Sequence, residues 1–93
     1  MSEACRIDVW LWRARVFRSR SMAAAFVEEG RVRLTHAGRQ TRLDKASRVV
    51  HPGDELLFAV SGRLLALRVE ALGDRRGPAD EARTLYSELP PPA

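Results

Sequence analysis

Apolar residues recur at Ile7, Trp10, Leu11, Ala14 and Phe17, in steps of three and four, and past Gly30 the step becomes two. No other feature constrains the chain as much as this change of period. The first spacing lays one apolar stripe along a helix, and the second puts alternate side chains of a strand on one face. The spacing predicts a helix over 7–17. Ser19 or Ser21 can cap a second helix, because a short hydroxyl accepts a bond from a free N–H of the first turn. The run "MAAAFVEE" favours helix, with Ala23, Phe26 and Val27 inward, and Gly30 suits the residue that turns the chain out.

The alternating "RVRL" (31–34) predicts a half-buried strand, followed by a turn around Gly38 and a polar, basic stretch, "RLDKAS". The segment "RVVHPGDEL" reads as a short strand, a Pro-Gly turn and entry to the next strand. The runs "LLFAV" and "RLLALRVEAL" flank Ser61-Gly62, a hairpin signal. Pro78 predicts the opening of a last short helix over 78–88, with Ala82, Leu85 and Leu89 inward. Residues 90–93 read as a loose tail. The whole is a small α+β domain, two N-terminal helices packed on a mostly antiparallel sheet with a short C-terminal helix. At 93 residues there is room for one domain.

Charge divides the chain. Of its 16 basic residues only Lys45 is not arginine, and the net charge is +4. Residues 1–48 carry +6 and residues 49–93 carry −2. The asymmetry points to a half that faces a polyanion. Arg13, Arg18, Arg20, Arg31, Arg33, Arg39, Arg42, Lys45 and Arg48 are expected on two helices, a strand edge and a basic loop. Guanidinium pairs bidentately with phosphate and stacks on bases. The competing reading is a solvated surface of no particular address.

Signals for catalysis are poor. His36 and His51 sit in turn-like sequence and are expected to be solvent-exposed. The serines lack a nucleophile-elbow setting, no glycine loop cradles phosphate, and no metal-ligand spacing stands out. No catalytic residue, metal or cofactor is therefore expected. Cys5 alone makes neither an internal disulfide nor a cysteine zinc cluster. Charges interrupt every apolar run well short of a membrane span, so a cytoplasmic protein with no membrane partner is expected. A monomer is expected. Trp10 belongs to the core stripe. Trp12 lies off it beside Arg15, and is expected to pack under the C-terminal segment, the alternative being to stack on a base.

Four fragments, "RIDVWLWRAR", "RSRSMA", "EEGRVRL" and "DKASRVVHPGDEL", resemble the RNA-binding domain of ribosomal protein S-four in order, spacing and residue type over 6–60. That resemblance implies two helices, a basic loop and a small sheet, with 61–89 completing the same domain. A narrower resemblance, carried by "WLW" and "RRGPADEARTLY", is to the bacterial ribosome-associated heat-shock protein fifteen family. It implies a non-enzymatic protein that binds ribosomal RNA of the large subunit, where nascent chain–tRNA is still present. By the family pattern, Arg18, Ser19 and Arg20 stand at the basic start of the second helix. Lys45 and Ser47 stand in the Lys-Pro-Ser segment, with Ala46 in place of the usual Pro. "THAGR" reads as a longer turn than the family's Asn-Gly. The family's long basic C-terminal extension is not in this sequence, and weaker affinity is expected without it. Two other readings stay open: a module related to RNA-modifying enzymes such as pseudouridine synthases, and a protein-interaction module using the acidic half. Arg15 is expected to leave Asp8 alone and to reach a carboxylate or carbonyl within 74–88.

Overall fold

The computed structural model describes residues 3–90. Strand β1 (Cys5–Arg6) leads into helix α1 (Ile7–Arg13), and helix α2 (Arg20–Glu28) follows. Then come β2 (Val32–His36), β3 (Arg39–Leu43), β4 (Val49–Val50), β5 (Glu55–Val60) and β6 (Arg63–Val69). A single turn of helix, α3 (Ala79–Ala82), runs through a 3-10 turn (Arg83–Leu85) into β7 (Tyr86–Glu88). Five strands form one antiparallel sheet in the order β3-β2-β5-β6-β7, and β1 pairs with β4 separately.

Both helices cover one face of the sheet. Ile7, Trp10, Leu11, Ala14 and Phe17 meet Ala23, Phe26 and Val27 of α2 and Val32, Leu34, Leu43, Leu56, Phe58, Leu67 and Val69 of the sheet. Trp10 is wholly buried, and its indole N–H donates to the Ala71 carbonyl at 2.9 Å. The β2–β3 and β5–β6 hairpin turns have positive φ at their two central residues: Ala37 and Gly38 (51° and 81°), Ser61 and Gly62 (51° and 76°). That is the signature of the type I′ turn, whose twist matches the strands it joins. The turn in "THAGR" therefore has two central residues and is no longer than an Asn-Gly turn. Part of the basic stretch after it is strand β3, which carries Arg39 and Arg42.

Helix α1 stops four residues earlier than its apolar stripe suggests. Arg15 takes a left-handed φ of 61°. Its N–H donates to the Trp12 carbonyl at 3.1 Å, and that of Val16 to Leu11 at 3.0 Å. These two bonds are the Schellman closure, usually made with glycine at the position Arg15 holds. The arginine is kept there by its side chain, whose Nε donates to the Gly77 carbonyl at 2.6 Å. Asp8 instead binds Arg6, at 2.9 Å. Replacing Arg15 by Ala should lose the bond and keep the strained backbone. Arg15→Gly should lose the bond but relieve strain of about 1 kcal/mol. In urea titrations both variants should unfold earlier than the parent, Arg15→Ala first. The reverse order would remove the strain argument.

The predicted helix over 78–88 is also cut short. Tyr86 is extended (φ −148°, ψ 161°), and β7 pairs with β6 through Val69↔Tyr86 and Leu67↔Glu88. Strand β6 would otherwise present an open edge, and pairing three residues there covers it. Ala82 and Leu85 are buried as expected, and Leu89 is half-buried. Residues 91–93 of the expected tail lie outside the described residues. Among the described residues no helix is long and apolar enough to cross a membrane.

Candidate nucleic-acid interface

The basic loop after β3 is built onto the start of α1. A helix leaves its first N–H groups without intrahelical acceptors, and Arg6, at the cap position, offers no side-chain acceptor. The loop supplies them: Ile7 N–H donates to the Arg48 carbonyl at 2.7 Å and Asp8 N–H reaches the Ala46 carbonyl at 3.5 Å. Arg48 N–H closes the loop on the Lys45 carbonyl at 3.1 Å. Ala46 is buried, while Lys45, Ser47 and Arg48 are exposed. The loop is thus held by backbone bonds and one buried methyl group.

The start of α2 carries two more of the candidate arginines. Ser19 is its cap, accepting from Met22 N–H at 3.1 Å, with the Ser21 hydroxyl 3.2 Å from the Ser19 oxygen. Arg18 and Arg20 flank the cap and are exposed. Cys5 pairs with Val50 in the β1–β4 ladder, which joins the strand before α1 to the end of the loop. Burial pushes the Cys5 thiol up, against the pull of the Arg13 and Arg20 guanidinium groups. The net rise makes Cys5 a poor nucleophile.

The remaining candidates divide. Arg39 and Arg48 line a cavity with Leu34, His36, His51 and Asp54. Arg33 and Arg42 are register partners across β2 and β3, and Arg42 also lies over Gly30 at the end of α2. Arg31 binds Glu29 at 3.1 Å and stands 4.6 Å above the Phe26 ring. Arg13 is turned inward, donating to the Gly73 carbonyl at 2.9 Å. Among the described residues, Arg18, Arg20, Arg33, Arg39, Arg42, Lys45 and Arg48 form no ion pair; in the second half Arg68 and Arg75 bind Glu55 and Glu81, while Arg63, Arg76 and Arg83 form none. Trp12 is half-buried, with Arg76 above its ring at 6.0 Å and donating to its carbonyl at 3.1 Å. The C-terminal segment does cover it.

His36, at the end of β2, is exposed as expected, whereas His51 is part-buried beside the turn into β5. Both rings approach Asp54, a carboxylate only 3% exposed. "HPGD" places His51 and Asp54 three apart, but only the sheet register brings His36 to them from 18 residues away.

Comparison with known proteins agrees with this architecture. Residues 5–34 match the family model of the S4 domain. The trimeric structure of heat shock protein 15 from Vibrio cholerae superposes with a TM-score of 0.80 at 33% identity, covering 94% of this chain and 83% of that one. Heat shock protein 15 homolog of Haemophilus influenzae is 37% identical over 83 residues, which is 89% of this chain and 60% of that protein. Heat shock protein 15 of Escherichia coli K12 is 32% identical over 83 residues, 89% of this chain and 59% of that protein. The chain thus spans about 60% of the length of these curated relatives. Fold and matched segment together define the class, an α+β protein built on the S4 RNA-binding domain. Within that class, the chain belongs to the heat shock protein 15 family.

Proposed function

We propose that this chain binds ribosomal RNA of the large subunit, without catalysis, and acts in recycling stalled subunits that carry nascent chain–tRNA. One observation carries the reading: among the described residues seven cations of the first half have neither an ion pair nor a side-chain hydrogen bond, against two, Arg63 and Arg83, in the acidic half. Arg18, Ser19 and Arg20 form one edge of the contact surface, and Lys45, Ser47 and Arg48 form the other. Arg39 extends it, and Arg31 and Arg13 border it. Arg33 and Arg42 face each other directly across the ladder. Like charges so placed repel, and a phosphate between them removes the penalty. Recognition is of RNA shape and phosphate, because the deep groove of A-form RNA hides its base edges. The binding unit is a single chain and the setting cytoplasmic.

Sedimentation of lysate on a sucrose gradient tests the proposal. The protein should travel with free large subunits, more than with small subunits or polysomes. Recovery only at the top of the gradient, in low salt and with stalled complexes present, would overturn it.

A further inference from the structure

The geometry points to a transition-metal site of the zinc class at His36, His51 and Asp54. One ligand atom from each of the three lies within 4.8 Å of the others. His36 Nδ1 is 2.6 Å from Asp54 Oδ1, and His51 Nδ1 is 3.5 Å from Asp54 Oδ2. The two imidazole rings stand 4.9 Å apart, tilted by 39°. Tetrahedral zinc with bonds of 2.0–2.1 Å spaces its ligand atoms by about 3.3 Å. The His51–Asp54 distance is already close to that spacing, and the His36–Asp54 pair would have to open by about 0.7 Å.

Two further observations favour a ligand over a plain hydrogen-bonded pair. His51 Nδ1 is buried and has no hydrogen-bond partner among the described residues. A buried polar atom of this kind calls for an occupant. Asp54 is also held in place, since His51 N–H donates to its Oδ2 at 2.9 Å. Hydrogen bonds from the surrounding shell orient metal-binding carboxylates in this way. Arg39 and Arg48 line the same cavity. Their charge works against magnesium or calcium, which oxygen ligands hold largely by charge. Imidazole coordination to zinc survives it better. Three protein donors leave the fourth position to water. The ion would fasten the end of β2 to the turn before β5, and add positive charge beside Arg39 and Arg48.

The test uses the full chain carrying Cys5→Ser, so that no thiol competes, after treatment with chelator. Zinc is titrated calorimetrically into this parent and into His36→Gln and His51→Gln variants, each first shown by circular dichroism to keep the parent's fold. Saturable binding of one zinc per chain is expected, weakened at least about tenfold by either substitution. As a second measurement, one equivalent of zinc should shift the ring nitrogen resonances of both histidines in the parent. The proposal is overturned by the absence of saturable binding, by unchanged affinity in either variant, or by ring resonances that do not move. RNA affinity is measured without zinc, so the fate of the RNA-binding proposal is decided separately.

Discussion

Alanine at Arg18, Arg20 and Lys45 together should weaken RNA binding by about tenfold or more and flatten the log–log salt slope by about 2 to 3. The three side chains are exposed and form no ion pair among the described residues. A phosphate that no longer meets a cation keeps its own counterions, so each single substitution should reduce the slope by roughly 0.7 to 0.9. Arg63 and Arg68 are the controls. They lie on β6, and Arg68 already has Glu55 at 3.6 Å. Charges beyond about 8–10 Å are largely screened at physiological salt, so these two should change binding little. Salt titrations of the five single variants, each first confirmed as folded, decide the matter. Equal losses at all five positions would mean that net charge, and no defined face, attracts the RNA.

Trp10→Ala should be the most damaging substitution for stability, at about 3–5 kcal/mol. The side chain is wholly buried between α1 and the sheet, and its indole N–H satisfies the Ala71 carbonyl. Truncation therefore opens a cavity and removes a bond that helps hold the 70–77 segment. For a domain of this size the midpoint of thermal unfolding should fall by at least about 12 °C. Trp10→Phe retains much of the apolar volume and should lose clearly less. Circular dichroism melts of the two variants check both statements, and a Trp10→Ala midpoint within a few degrees of the parent would refute them.

Much of this fold was legible because short-range chemistry and long-range packing agree. The stripe at 7, 10, 11, 14 and 17 is buried throughout, Ser19 caps α2, and Ser61-Gly62 turns the hairpin. Failures came where a distant partner overrode a local preference. Nothing near Arg15 signals a helix stop, because the partner that stabilises its left-handed backbone is a carbonyl 62 residues away. Residues 86–88 look helical after Pro78, yet the free edge of β6 draws them into the sheet. Among the basic residues, the sequence marks which carry charge but not how each is used. Arg13 and Arg31 have protein partners that the pattern could not reveal. The histidine cluster was invisible for the same reason, since His36 meets His51 and Asp54 only through the pairing of β2 with β5.

Trp10 and Arg13 of α1, and Arg15 just past its end, bind the carbonyls of Ala71, Gly73 and Gly77 across sequence separations of 60 to 62 residues. The last quarter of the chain is therefore a clasp on the first. Closing so long a loop costs entropy before any interaction repays it, and such long-range pairings slow folding. A growing polypeptide cannot shut this clasp until residue 77 has been made. Until then the exposed indole of Trp10 is a hazard, which makes the interval before residue 77 is added a period when the nascent chain needs protection from aggregation.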